Sequence, residues 1–200
     1  MNIFKKNQAT APETAFDAPT QAVADISGSY TLDSVHSRLG FSARHAMVTT
    51  VRGQFGAFEG AAVIDAANPA KSSATVTMRT ASIDTGAEDR DAHLRSADFF
   101  DVEQFPTITF TSTHVERSGN VWNVTGDLTI KDVTRSVTIP FEHSGSAQDP
   151  FGNVRIGFEG STTINRKDFG LVWNAALETG GVLVSERIKL EFDVSAIKNA

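Results

Sequence analysis

From Tyr30 onward, apolar and polar positions alternate with a period of two, the mark of strands that bury one face. Leu39, Phe41, Ala43 and His45 are interleaved with Arg38, Gly40, Ser42 and Arg44, and Phe58, Gly60, Ala62 and Ile64 repeat the pattern after a turn at Gly53. Ala74, Val76 and Met78 follow, then Ile108, Phe110 and Ser112 against four threonines, then Trp122, Val124, Gly126, Leu128 and Ile130. The series closes with Val137, Ile139 and Phe141, with Val154, Ile156, Phe158, Gly160, Thr162 and Ile164, and with Val184, Ile188, Leu190, Phe192 and Val194. Turn signals at Asn68-Pro69 and Ser118-Gly119-Asn120 separate these runs, which amount to about eight strands. Residues 1–28 show no sustained period and contain Pro12 and Pro19, so they read as a flexible N-terminal tail before a single domain at 29–200.

One passage breaks the alternation. Asp84 to Asp101 is densely charged, and Thr85 followed three residues later by Glu88 has the spacing of a capping box, which predicts a short helix between the third and fourth strands. Glu88, Asp89 and Asp91 suit the positive end of the helix dipole, and Asp91 and Arg95 are spaced to pair. Leu94, Ala97, Phe99 and Phe100 supply apolar surface by which the helix could dock; the alternative is a solvated helix held by local ion pairs.

Long antiparallel strands joined by short turns form a sandwich or an up-and-down barrel, and closure into a barrel removes both edges. The fold class expected is therefore all-β, an extended eight-stranded antiparallel up-and-down barrel. Its apolar inner face includes Ala43, Gly60, Ala62, Ala74, Gly126 and Gly160, small residues that leave room for a ligand unless they only taper a packed core. If the strands run in chain order, one end collects the turn after His45, the 84–105 insertion, Lys131-Asp132 and the long 165–181 loop. Such loops gather at the mouth of a scaffold, so the helix reads as a lid. The same end gathers His45, Arg52, Arg90, His93, Lys131, Arg166 and Lys167, which would suit a ligand with a long apolar body and a polar or anionic head. Glu88, Asp89, Asp91, Asp132 and Asp168 share the region and are able to neutralise those cations. Phe99, Phe100, Phe105, Phe169 and Trp173 are candidate apolar gatekeepers.

Composition narrows the chemistry. A net charge of −6 over 200 residues opposes nucleic-acid binding. There is no cysteine for a thiol nucleophile or a Cys-based zinc site, and no apolar run approaches the roughly 18 residues of a spanning helix. Lys5 and Lys6 lead into polar sequence and not into a signal peptide, so cytoplasmic residence is the default expectation. No catalytic motif is legible. Asp91 and His93, two apart on a helix, face different ways, and the five histidines never fall at metal-ligand spacing, so no catalytic residue, metal or cofactor is expected.

Several ordered motifs together resemble the YceI-like family, described as polyisoprenoid-binding and lipocalin-like. They are Leu32-Asp33-Ser34-Val35-His36-Ser37 leading into Leu39-Gly40-Phe41, Arg44-His45, Gly53-Gln54-Phe55, the run from Asp89 through His93-Leu94-Arg95-Ser96 to Asp101, Phe105-Pro106-Thr107-Ile108-Thr109-Phe110, and Asn165-Arg166-Lys167-Asp168-Phe169-Gly170. The resemblance implies a lipocalin-like barrel that encloses an isoprenoid lipid of polyprenyl or quinone type, for carriage, storage or sequestration without catalysis; transient membrane contact is the further partner expectation. Leu39, Phe41, Phe58, Ile64, Met78, Phe110, Trp122, Phe141 and Phe158 would line the tail; His45, Arg52, Arg90, His93 and Arg166 would meet the head; Leu94, Phe99, Phe100 and Trp173 would form the lid. Many relatives are periplasmic. Two alternatives stand beside this reading: a stress-response interaction module whose barrel is merely stable, and an enzyme acting on a lipid or phosphate ester with His93 or His45 beside Asp91.

Overall fold

A strand with one apolar face must hide that face from water and pair its backbone on both sides. The computed structural model, which describes residues 25–178 and 180–200, meets both demands with one antiparallel sheet closed on itself. Its strands are β1 (Gly28–Leu32), β2 (Arg38–His45), β3 (Thr49–Phe55), β4 (Phe58–Ile64), β5 (Ser73–Arg79) and β6 (Ile83–Asp84), then β7 (Thr107–Ser118), β8 (Val121–Ile130), β9 (Val133–Gln148), β10 (Val154–Asn165) and β11 (Val184–Lys198). The first six are halves of three long staves. β1 and β2 both pair with β11, β3 continues into β4 across Gly56-Ala57, and β5 into β6 across a single turn of 3₁₀ helix. Pairing of β1 with β11, Tyr30 opposite Lys198, closes the ring, so the molecule is the expected eight-stranded up-and-down barrel.

The barrel begins earlier than the alternation indicated. Ile26 is 2% exposed in the core cluster formed with Tyr30, Ile64, Trp122 and Ile156, and Ser27 Oγ accepts the Ala66 N–H at 3.0 Å. A lone apolar residue carries no period, so this anchor was invisible in the pattern. The remainder of the expected tail, residues 1–24, lies outside the described residues.

Where β1 gives way to β2, Asp33 accepts from Arg155, from the Val35 N–H at 3.0 Å, and lies 2.8 Å from His36 Nδ1. Arg155 also donates to Asp149 at 2.9 Å, which ties this break to the β9–β10 turn. The Arg155 guanidinium holds the Asp33 carboxyl well below the usual carboxylate range, and the Asn153 amide, then Arg155, hold Asp149 at about 2. Depressed carboxyls stabilise the fold fully above their unfolded value of about 4, and that contribution is lost as pH falls through the folded values. Acid unfolding followed by circular dichroism is therefore expected to set in below about pH 4. Asp33→Asn should lower stability at neutral pH and flatten the slope below about pH 4; an unchanged slope would exclude the clamp as its source.

Helix α1 (Glu88–Arg95) sits between the third and fourth staves, where it was expected, but is fastened differently. Its N-cap is Ala87, with no side-chain bond. The Thr85 hydroxyl donates to Asp91 at 2.5 Å instead of capping, and the Thr85 N–H donates to the same oxygen at 3.0 Å. Arg95 does not pair with Asp91 and donates to the carbonyls of Ala81 and Ile83 at 2.9 and 2.7 Å. Asp91 is consequently buried, and the helix is sewn to the end of the third stave through backbone groups that lack a strand partner there.

Candidate functional site

The connections alternate between the two ends as the strand order demands. Residues 46–48, 85–106, 131–132 and 166–183 cluster at one end, and 65–72, 119–120 and 149–153 at the other. Between them runs a cavity of about 400 Å³, lined almost wholly by apolar side chains from both core clusters. Leu39, Phe41, Phe110 and Phe141 border its middle, and Ile64, Trp122, Ile156 and Phe158 its short-turn end.

The small inward residues divide into two groups. A β-carbon at Gly126 would lie 2.5 Å from the Phe110 ring, and one at Gly160 would lie 2.6 Å from the Phe141 ring. These glycines accept aromatic rings from neighbouring strands and make no room for a ligand. Ala43, Ala62 and Ala74, in contrast, line the cavity; Gly60 borders it too, but a β-carbon there would lie 2.8 Å from the Thr75 carbonyl and 3.2 Å from Leu32 and Val76. Every stave contributes to the lining, with Phe41 and Phe55 on the first staves and Phe110, Phe141, Phe158 and Phe192 on the others.

Eight of the nine expected tail-lining residues border the cavity, Met78 among them. Phe58 is half-buried, packs against the core cluster that contains Leu39, Phe55, Met78 and Ile83, and does not border the cavity. Val51, Phe55, Ile188 and Leu190 also line it, on alternations legible in the sequence; Leu171 and Leu183 do so from the β10–β11 loop, where no period marks them.

At the mouth, Leu94, Phe99, Phe100 and Trp173 all border the cavity, as a lid would. The His93 ring stands edge-on to Trp173 at 4.6 Å and to Phe99 at 5.1 Å between centroids, and Phe100 meets Phe55 at 5.9 Å. His93 Nε2 lies 2.9 Å from Asp98, not against Asp91. The acid–imidazole pair that the enzymatic alternative invoked is thus not assembled, because Asp91 is occupied by Thr85.

His45, Arg90, His93 and Arg166 reach the cavity; Arg52 does not. Arg52 is exposed between inward Val51 and Gly53, a position that period two alone dictates. Arg90 is steered by Thr85, donating to its hydroxyl at 2.7 Å and its carbonyl at 2.8 Å. Arg44, absent from the expected set, borders the cavity and also donates to the carbonyls of Met47 and Val48 at 3.1 Å. Arg166 departs most from expectation. It is 3% exposed, and donates to the carbonyls of Leu171 and, at 3.0 Å, Ser185, so it pins the long loop instead of projecting at the rim. Burial pushes its pKa down from the usual arginine value.

The profile of the YceI-like domain matches residues 30–196 of this chain. The chain belongs to the YceI-like family. A UPF0312 protein of Photorhabdus laumondii is 40% identical over 150 residues, covering 74% of this chain and 78% of that protein. One from Pseudomonas aeruginosa is 42% identical over 136 residues, 68% of this chain and 71% of its own length. Among solved structures, Burkholderia cenocepacia BcnA superposes with a TM-score of 0.72 at 27% identity, covering 82% of this chain and 98% of BcnA. A polyisoprenoid-binding domain from Saccharophagus degradans superposes with a TM-score of 0.61 at 16% identity, covering 85% and 98%, and shares the fold. The YceI-like barrel thus holds its apolar channel between a lid end, built by α1 and the β10–β11 loop, and a short-turn end.

Proposed function

We propose that this YceI-like protein binds a long amphiphilic isoprenoid lipid, of polyprenyl or quinone type, inside the barrel and carries or sequesters it without catalysis. The observation that carries this reading is the apolar cavity of about 400 Å³ running the length of the barrel beneath a rim of arginine and histidine. Burying a tail there is favourable by about 25 cal/mol per Å² of apolar surface before binding costs are subtracted. The neighbour described as polyisoprenoid-binding supports the ligand class. Arg44, His45, Arg90 and His93 are placed to meet a polar head, and the same rim exposes Met47, Val48 and Val172 to a membrane surface during exchange.

Native mass spectrometry and solvent extraction of protein purified from its own host test the reading. The expected result is a stoichiometric, extractable lipid with an isoprenoid fragmentation series. Protein that arrives empty and takes up no isoprenoid from vesicles would overturn it.

A further inference from the structure

Among the described residues, two buried side-chain polar atoms have no hydrogen-bond partner: Trp122 Nε1 and His143 Nε2. They come from different strands, β8 and β9, yet flank one ring. Phe158 meets Trp122 edge-on at 6.3 Å and His143 at 5.2 Å between centroids. Both belong to the short-turn end; Trp122, 3% exposed, lines the cavity there, whereas half-buried His143 stands behind Phe158 and is not part of the lining. An unpaired buried donor or acceptor costs about 1–3 kcal/mol, so two such atoms around one ring beside an apolar channel are costly unless something occupies them.

Their chemistry selects the occupant. The indole N–H only donates. Burial pushes the His143 pKa down, so the imidazole is neutral near pH 7 and its second nitrogen accepts or donates according to tautomer. Arg117 lies over the indole, its guanidinium carbon 5.1 Å from the ring centroid, and donates to the Gly119 carbonyl at 2.9 Å in the turn after β7. The other end differs, because there Arg44 and Arg90 reach the cavity from exposed positions.

We propose that Trp122, with His143 beside it across the Phe158 ring, forms a second polar subsite, at the short-turn end of the tunnel, whose indole N–H takes a neutral oxygen of the ligand, a hydroxyl or a carbonyl. The inference rests on the lipid reading above and sharpens it. The barrel has two polar stations joined by an apolar channel: a cationic one at the mouth and a neutral one at depth. An anionic head stays at the mouth, since carrying a charge through the channel costs far more than carrying a hydroxyl. A neutral isoprenoid alcohol seats its oxygen at the deep station.

Farnesol and its hydrocarbon counterpart farnesene separate the two readings, with affinities measured by titration in dilute detergent. Wild-type protein is expected to prefer farnesol by roughly two- to tenfold, the worth of a net hydrogen bond. In Trp122→Phe that preference should fall to about one. Should the variant not fold, nitrogen-15 NMR of the wild-type protein decides: the Trp122 indole proton, assigned against Trp173→Phe, should move downfield with farnesol and not with farnesene. Equal binding of both probes with no such shift would overturn the subsite and leave the lipid reading standing. Binding of neither would overturn both.

Discussion

Ala43→Phe is expected to close the tunnel beneath its mouth and to weaken lipid binding by roughly 70-fold while leaving the barrel folded. Ala43 lies on β2 between Val51 of β3 and Ile188 of β11, and all three border the cavity, so a larger side chain at 43 grows into it. A phenylalanine there would displace about 100 Å² of ligand contact, which at 25 cal/mol per Å² is about 2.5 kcal/mol. The ring also buries itself in space that is otherwise lined by apolar atoms, so the melting temperature should hold or rise. Displacement of a fluorescent fatty acid, together with a thermal melt, measures both quantities. Unchanged affinity in a folded variant would mean that the ligand does not occupy the barrel interior.

Arg166→Ala should have the largest effect on stability. Its guanidinium serves the carbonyls of Leu171 and Ser185, one near each end of the loop that carries Leu171, Trp173 and Leu183 to the cavity. Truncation leaves those carbonyls without their donor in a buried setting, at about 1–3 kcal/mol each, and a total near 3 kcal/mol lowers the melting temperature by about 6–12 °C. Arg166→Lys keeps the charge but not the planar fork, so it should recover only part of the loss. Hydrogen exchange should show faster amide exchange across residues 171–185 in Arg166→Ala, together with faster lipid release. A melt within about 1 °C of wild type would refute the tether.

The two variants probe parts of the site that differ in how far they could be read in advance. Ala43 sits in an unbroken alternation that makes its inward direction legible, and the same period turns Arg52 outward between Val51 and Gly53. Arg166 offered only its charge and its place in a long loop, which together point to a rim cation. Its burial follows from carbonyls brought to it from residues 171 and 185, and no local pattern encodes that meeting. Thr85 is a similar case. The spacing to Glu88 is that of a capping box, but the helix begins at Glu88 with Ala87 as its N-cap, and the fold brings Asp91 back to the Thr85 N–H and hydroxyl. Gly126 and Gly160 looked like space because a missing side chain is read as volume; only the register reveals the phenylalanine laid across each.

The sequence by itself determined most strands and their inward faces, the antiparallel ring in chain order and the end at which helix and long loop gather; Gly53, read as a turn, instead lies within β3, and the chain turns at residues 46–48. Those properties follow from side-chain alternation and turn chemistry, which act over a few residues. Only the tertiary structure decided which small residues leave a cavity, which arginines reach it, what fastens the helix, and that Trp122 and His143 stand unpartnered around one ring at its far end. Each of these depends on groups far apart in the chain being brought within hydrogen-bonding or packing distance, and closure of the barrel sets those distances.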